Sequence, residues 1–75
     1  MKPRHDIRSR VRQFRLGKGL TQQQLADRMQ VTRQTILSIE KGNYTPSVAL
    51  ALSLAEFLGT SVETLFQLEK GDDDG

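Results

Sequence analysis

The sequence predicts an all-α domain of five short helices, and three observations carry that prediction. Apolar residues recur three and four positions apart through most of the chain, the pattern of amphipathic helix rather than of strand. Four of the apolar runs are preceded by a hydroxyl residue suited to an N-cap, and glycines follow the runs. No stretch alternates apolar and polar residues for long enough to make a convincing strand.

The first helix falls between Arg8 and Lys18. Val11 and Phe14 share a face there, Ile7 extends it backward by one turn, and Gly17 and Gly19 end it. Thr21 opens the second helix as N-cap, with Gln24 placed to complete a capping box, and Leu25 and Met29 form the buried side. Thr32 caps the third, which turns Ile36 and Ile39 inward until Gly42 stops it. Gln30 stands in the intervening turn, where positive φ is expected and glycine would be the easier residue. In "NYTPS", Thr45 followed by Pro46 reads as N-cap plus first helical position of the fourth helix. That helix, "VALALSLAEFL", is apolar nearly all round and so has more than one face to bury. Ser61 caps a short fifth helix carrying Val62, Leu65 and Phe66.

The organisation is therefore an N-terminal arm over 1–6, one domain over 7–68, and an acidic tail over 69–75 with Asp72–Asp74. Charge is strongly polarised along the chain. Residues 1–41 hold ten Lys/Arg against three acids, a net of +7, whereas residues 42–75 hold one Lys against six acids, a net of −5. A basic half of this kind points to a polyanion, with nucleic acid the leading candidate. With no cysteine there is no disulfide framework and no thiolate metal site, which suits a reducing, cytoplasmic setting. His5 is the only histidine, so neither a histidine metal site nor a Ser-His-acid triad has its partners. No apolar run is long enough for a membrane span, and no phosphate-binding glycine loop or paired catalytic carboxylates stand out. The chain reads as a non-enzyme without metal or cofactor.

Residues 21–41 hold the arrangement on which function turns: a capped helix, a tight turn, and a second capped helix whose outward residues are Arg33, Gln34, Thr35 and Ser38. Such a pair can lay its first helix across a phosphate backbone and put the second into the major groove, amino terminus first. Arg matches guanine O6 and N7, Gln matches adenine N6 and N7, and Thr35 and Ser38 add a hydrogen bond or a thymine-methyl contact.

The stretches "GLTQQQLADRM", "VTRQTILSIEKG", "YTPSVALALSLAEFLG" and "SVETLF" together resemble the lambdoid phage repressor and Cro type of helix-turn-helix regulators, the XRE family, in its short stand-alone form. The match runs from about Ile7 to Phe66. It implies a compact five-helix repressor-like fold, a double-stranded DNA operator as ligand, usually a homodimer, and a bacterial, archaeal or phage-encoded cytoplasmic protein. By the same resemblance Arg33 and Gln34 sit where members read bases, and Gln22 lies against both the DNA backbone and the recognition helix. Lys41, Asn43 and Tyr44 fall where members contact the next phosphate, and Arg15 pairs with Glu40 in a structural ion pair that can also turn Arg15 to a phosphate. Gln23 is either a backbone contact or a plain surface residue. Leu37 is outward on the wheel and is left between a thymine methyl, a partner subunit and neither.

Surplus apolar surface predicts dimerisation. If Ala51, Leu54, Ala55 and Leu58 supply the core, then Leu50, Leu52, Phe57, Val62, Leu65, Phe66 and Leu68 remain; Phe57, Val62, Leu65, Phe66 and Leu68 are the expected interface. The function read from all this is a sequence-specific repressor that binds a roughly palindromic operator as a homodimer. A reading from another class is a protein-interaction module of antitoxin type on the same fold. A small-molecule effector would have no domain of its own and is left unassigned.

Overall fold

Capping side chains decide where the helices of this domain begin. A computed structural model describes residues 7–68 and contains α1 (Val11–Gly17), α2 (Gln22–Met29), α3 (Arg33–Glu40), α4 (Val48–Leu58) and α5 (Val62–Leu65). The expectations for the arm, including His5, and for the Asp72–Asp74 tail lie outside the described residues. At α2 the Thr21 hydroxyl accepts from the Gln24 amide at 3.0 Å while the Gln24 side-chain oxygen accepts from the Thr21 amide at 2.8 Å, the expected capping box. Thr32 accepts from the Thr35 amide at 3.1 Å, and Ser61 from the Thr64 amide at 3.1 Å. Each such cap contributes about 1 kcal/mol, which matters for helices of eight residues or fewer.

Two local expectations are corrected. Ser47, not Thr45, caps α4: its backbone is extended and its hydroxyl accepts from the Leu50 amide at 3.1 Å, leaving Pro46 just outside the helix. Both hydroxyls are chemically competent, since an N-cap is extended and proline is tolerated at the first helical position; the helix starts one residue beyond Ser47, at Val48. Ile7 and Arg8 belong to no helix. They form β1 (Ile7–Ser9), which pairs antiparallel with β2 (Phe66–Leu68) in the register Ile7 with Leu68, Arg8 with Gln67 and Ser9 with Phe66. The Arg10 amide adds a bond to the Leu65 carbonyl at 2.8 Å, so the two ends of the domain are laced together.

The core is one cluster in which Leu25, Ile36, Ile39, Leu54, Leu65 and Val11 are the large, fully buried side chains. Ala51, Leu54, Ala55 and Leu58 are buried as the α4 pattern predicts. Leu65 is a correction to the expected interface. It is fully buried within the single chain, because α5 is one turn long and Leu65 is the residue that turn delivers to the core. The rest of α4 is left uncovered on one flank, where Val48 is 75% and Leu52 57% exposed.

Left-handed backbone appears where the chain reverses between α2 and α3 and where it leaves α3. Gln30 has φ 60°, the expected conformation of the turn. Gly42 has φ 77°, and a Cβ there would stand 2.9 Å from the Ile7 carbonyl oxygen, so the exit of α3 packs against the backbone of β1. Thermal denaturation should separate these demands. Gln30→Gly raises stability by up to about 1 kcal/mol, the strain of a side chain in left-handed backbone. Gly59→Ala, at φ 73° with no atom within 4 Å, carries that strain alone, so Gly42→Ala lowers the melting temperature further than Gly59→Ala. Equal losses would show that β1 yields freely at Gly42.

Candidate nucleic-acid interface

The α2–turn–α3 unit is closed by backbone bonds before any side chain is considered. The Val31 amide reaches back to the Ala26 carbonyl at 3.0 Å and the Gln30 amide to Asp27 at 3.2 Å, so left-handed Gln30 satisfies the end of α2 as the chain turns. Ile36 and Ile39 anchor α3 in the core. Its opposite side then has one possible orientation, with Arg33 and Gln34 exposed and Thr35 and Ser38 half-buried. Arg33, on the first turn, is engaged by no described residue. The Gln34 amide nitrogen donates to the Ser38 hydroxyl at 3.2 Å, and the Thr32 and Thr35 hydroxyls share a bond of 3.0 Å. Leu37 is half-buried.

What fixes α3 at its far end is a buried ion pair. Arg15 Nε donates to Glu40 Oε2 at 2.6 Å and Nη2 to Glu40 Oε1 at 3.2 Å, with the two side chains only 8% and 4% exposed. Arg15 Nη1 donates to the Leu20 carbonyl at 2.8 Å, and Gln22 Nε2 donates to Glu40 Oε1 at 3.2 Å. One network therefore ties α1, the α1–α2 loop, α2 and the C-terminal end of α3. No buried side-chain nitrogen or oxygen among the described residues lacks a hydrogen-bond partner. The expected Arg15–Glu40 pair is present, and Gln22 faces α3 through it. The guanidinium of Arg15, to which a phosphate contact was also ascribed, is nearly buried and engaged within the chain through Nε, Nη1 and Nη2.

The remaining backbone candidates differ in availability. Gln23 donates to Asp27 Oδ1 at 2.9 Å along the exposed face of α2. Lys41, Asn43 and Tyr44 are exposed in the loop after α3, with the Asn43 amide held by the Ser38 carbonyl at 3.0 Å. Phe57 lies away from the other apolar candidates: Lys18 and Arg28 stand over its ring at 5.8 and 5.2 Å from the centroid, each within cation–π range. Val62 and Phe66 instead line a groove of about 690 Å³ together with Ile7, Val48 and Leu52. Sequence reasoning missed the Leu20 carbonyl, which no side-chain pattern signals, and the two cations on Phe57.

The network predicts strong coupling. Removing one partner of a buried, hydrogen-bonded pair costs about 3–5 kcal/mol, whereas replacing both with apolar residues is often close to neutral. Arg15→Met and Glu40→Leu should each lower the urea midpoint sharply, and the double variant should lose less than the two losses together. Strict additivity would show that the pair contributes no coupling.

Independent comparisons agree with this geometry. The helix-turn-helix family model matches residues 11–65. The chain is 47% identical over 70 residues to an HTH-type transcriptional regulator of Methanothermobacter thermautotrophicus, covering 92% of this chain and 97% of that protein. The HTH-type transcriptional regulator YgzD of Bacillus subtilis is 38% identical over 64 residues, 85% of this chain and 97% of that one. Among solved structures, the clp gene regulator ClgR of Corynebacterium glutamicum superposes with a TM-score of 0.66 at 33% identity, over 72% of this chain and 57% of that one.

Proposed function

The chain belongs to the helix-turn-helix family of DNA-binding transcriptional regulators, which are not enzymes, and from that premise we propose that it is a repressor binding a roughly palindromic operator as a homodimer. The observation that carries the base-reading assignment is the exposed first turn of α3. Arg33 and Gln34 are exposed where base edges would lie, Gln34 holding only a 3.2 Å bond to Ser38, while Ile36 and Ile39 lock the helix beneath them. Thr35 and Ser38 extend the reading surface. Gln22, Gln23, Lys41, Asn43 and Tyr44 flank it as phosphate contacts, with Gln22 sharing its amide with Glu40. Binding in the major groove and over a promoter would exclude polymerase, which is the repressor's mechanism of occupancy.

The homodimer is supported by uncovered apolar surface rather than by the interface expected from sequence alone. Val48, Leu52 and Leu68 are exposed, and Ile7, Val62 and Phe66 line the groove beside them. A two-fold axis through that face would present two α3 helices about 34 Å apart, one turn of duplex. Leu65 has no direct part in this face and Phe57 sits on another one.

Selection of bound sites from randomised duplexes tests both parts. A palindrome with half-sites about one turn apart is expected. Arg33→Ala should weaken binding to it by about 5- to 150-fold and relax preference at one position of each half-site. Leu52→Arg should give monomers in light scattering and reduce operator affinity. Absence of an enriched motif would remove operator reading. An unchanged mass for Leu52→Arg would leave the groove to a different protein, as in the antitoxin-like reading.

A further inference from the structure

The groove beside α4 carries a charge that a second copy of the chain does not answer. It has a volume of about 690 Å³ and is walled by α4, α5, residues of both strands and the α3–α4 loop. Val48, Leu52, Val62 and Phe66 make it apolar, yet Glu56 on the last turn of α4 and Glu63 on α5 also line it. Both glutamates are exposed, and no lysine or arginine is among the lining residues. No hydrogen bond or ion pair with a described residue engages either carboxylate. A two-fold interface matches one surface with itself. A copy docked here therefore brings two further carboxylates and no cation from the same lining, and a carboxylate covered without a counter-charge is costly.

We propose that the groove binds a hydrophobic organic cation, which thereby excludes the second copy. Its volume lies in the range of small-molecule sites, about 300–1,000 Å³. The apolar body of such a ligand covers Val48 and Leu52, 75% and 57% exposed, and its positive charge meets Glu56 and Glu63. Phe66 adds an aromatic ring, which also attracts a cation. None of Arg33, Gln34, Thr35 and Ser38 lines the groove. The ligand therefore acts on operator binding by removing the partner copy and not by covering the reading surface, so an effector needs no domain of its own. The site stands on the residues of the groove; its effect on the operator rests on the homodimer proposed above.

Tetraphenylphosphonium is the probe and neutral triphenylphosphine oxide its control. Each is titrated into the full chain and into a Glu56→Gln, Glu63→Gln variant while backbone amide shifts are followed by NMR, which also reports that the variant is folded. Saturable shifts centred on Leu52, Val62 and Phe66 are expected with the cation. The double variant should bind the cation about two- to thirtyfold more weakly, the combined loss of two exposed ion pairs, and should bind the neutral control as the parent does. No saturable binding of the cation, shifts centred elsewhere, a loss below about twofold, or a loss shared equally by both probes overturns the proposal. Light scattering on the same samples should show the dimer mass halved at saturating cation, and a dimer that persists with the groove occupied overturns the exclusion. A chain already monomeric before the probe is added would remove the homodimer while leaving the binding contrast readable.

Discussion

The rest of the structure depends on a charge pair almost removed from water. Burying Arg15 and Glu40 together is tolerable only because every strong donor and acceptor finds a partner: two guanidinium nitrogens on the carboxylate, a third on the Leu20 carbonyl, and the Gln22 amide on the carboxylate's other side. Such a pair is weak evidence of net stability, because desolvation offsets most of its attraction. Its geometry is demanding, however, and geometry is what a reading helix requires. Since the four groups come from α1, the α1–α2 loop, α2 and α3, any rotation of α3 about its axis separates Glu40 from at least one of them.

Hydrophobic packing does the complementary half of the positioning. Ile36 and Ile39 seat α3 in the core cluster that also holds Leu25 and Leu54, and the threonine caps fix the entry points of α2 and α3. Helices of seven or eight residues would not hold in isolation; here caps, a shared core and the Arg15 network replace intrinsic helicity. The short sheet completes the arrangement by tying the two ends of the domain together, with the Ile7 carbonyl of β1 set so close to Gly42 that this residue must remain small. Function and fold thus meet at one helix: its inner side is core, its C-terminal end is ionic, and its first outer turn is left free.

Much of this was legible in the residues. The Thr21–Gln24 box and the Thr32 and Ser61 caps follow from local chemistry, which needs no tertiary information, whereas left-handed Gln30 followed from the helix-turn-helix arrangement around it. The Arg15–Glu40 pair, twenty-five positions apart, came from family resemblance and not from any periodicity. Three-residue strands escaped because alternation over so short a stretch cannot be distinguished from the flank of a helix, and only cross-chain pairing defines them. Two hydroxyls bracket Pro46, and local chemistry fits a cap at either, so the residues alone do not choose Ser47 over Thr45. Leu65, expected at an interface and found in the core, was misjudged for a different reason. On an element apolar on several sides, composition says how much surface needs cover but not which residue meets which neighbour.

The central claim is that the ionic network holds α3 so that its first outer turn reads bases. A structure of the complex with a selected duplex tests it most directly. The account predicts α3 in the major groove with Arg33 and Gln34 at base edges and Arg15 still closed on Glu40 and Leu20. Arg15 swung out to a phosphate, or α3 lying off the bases while another surface meets the duplex, would contradict it.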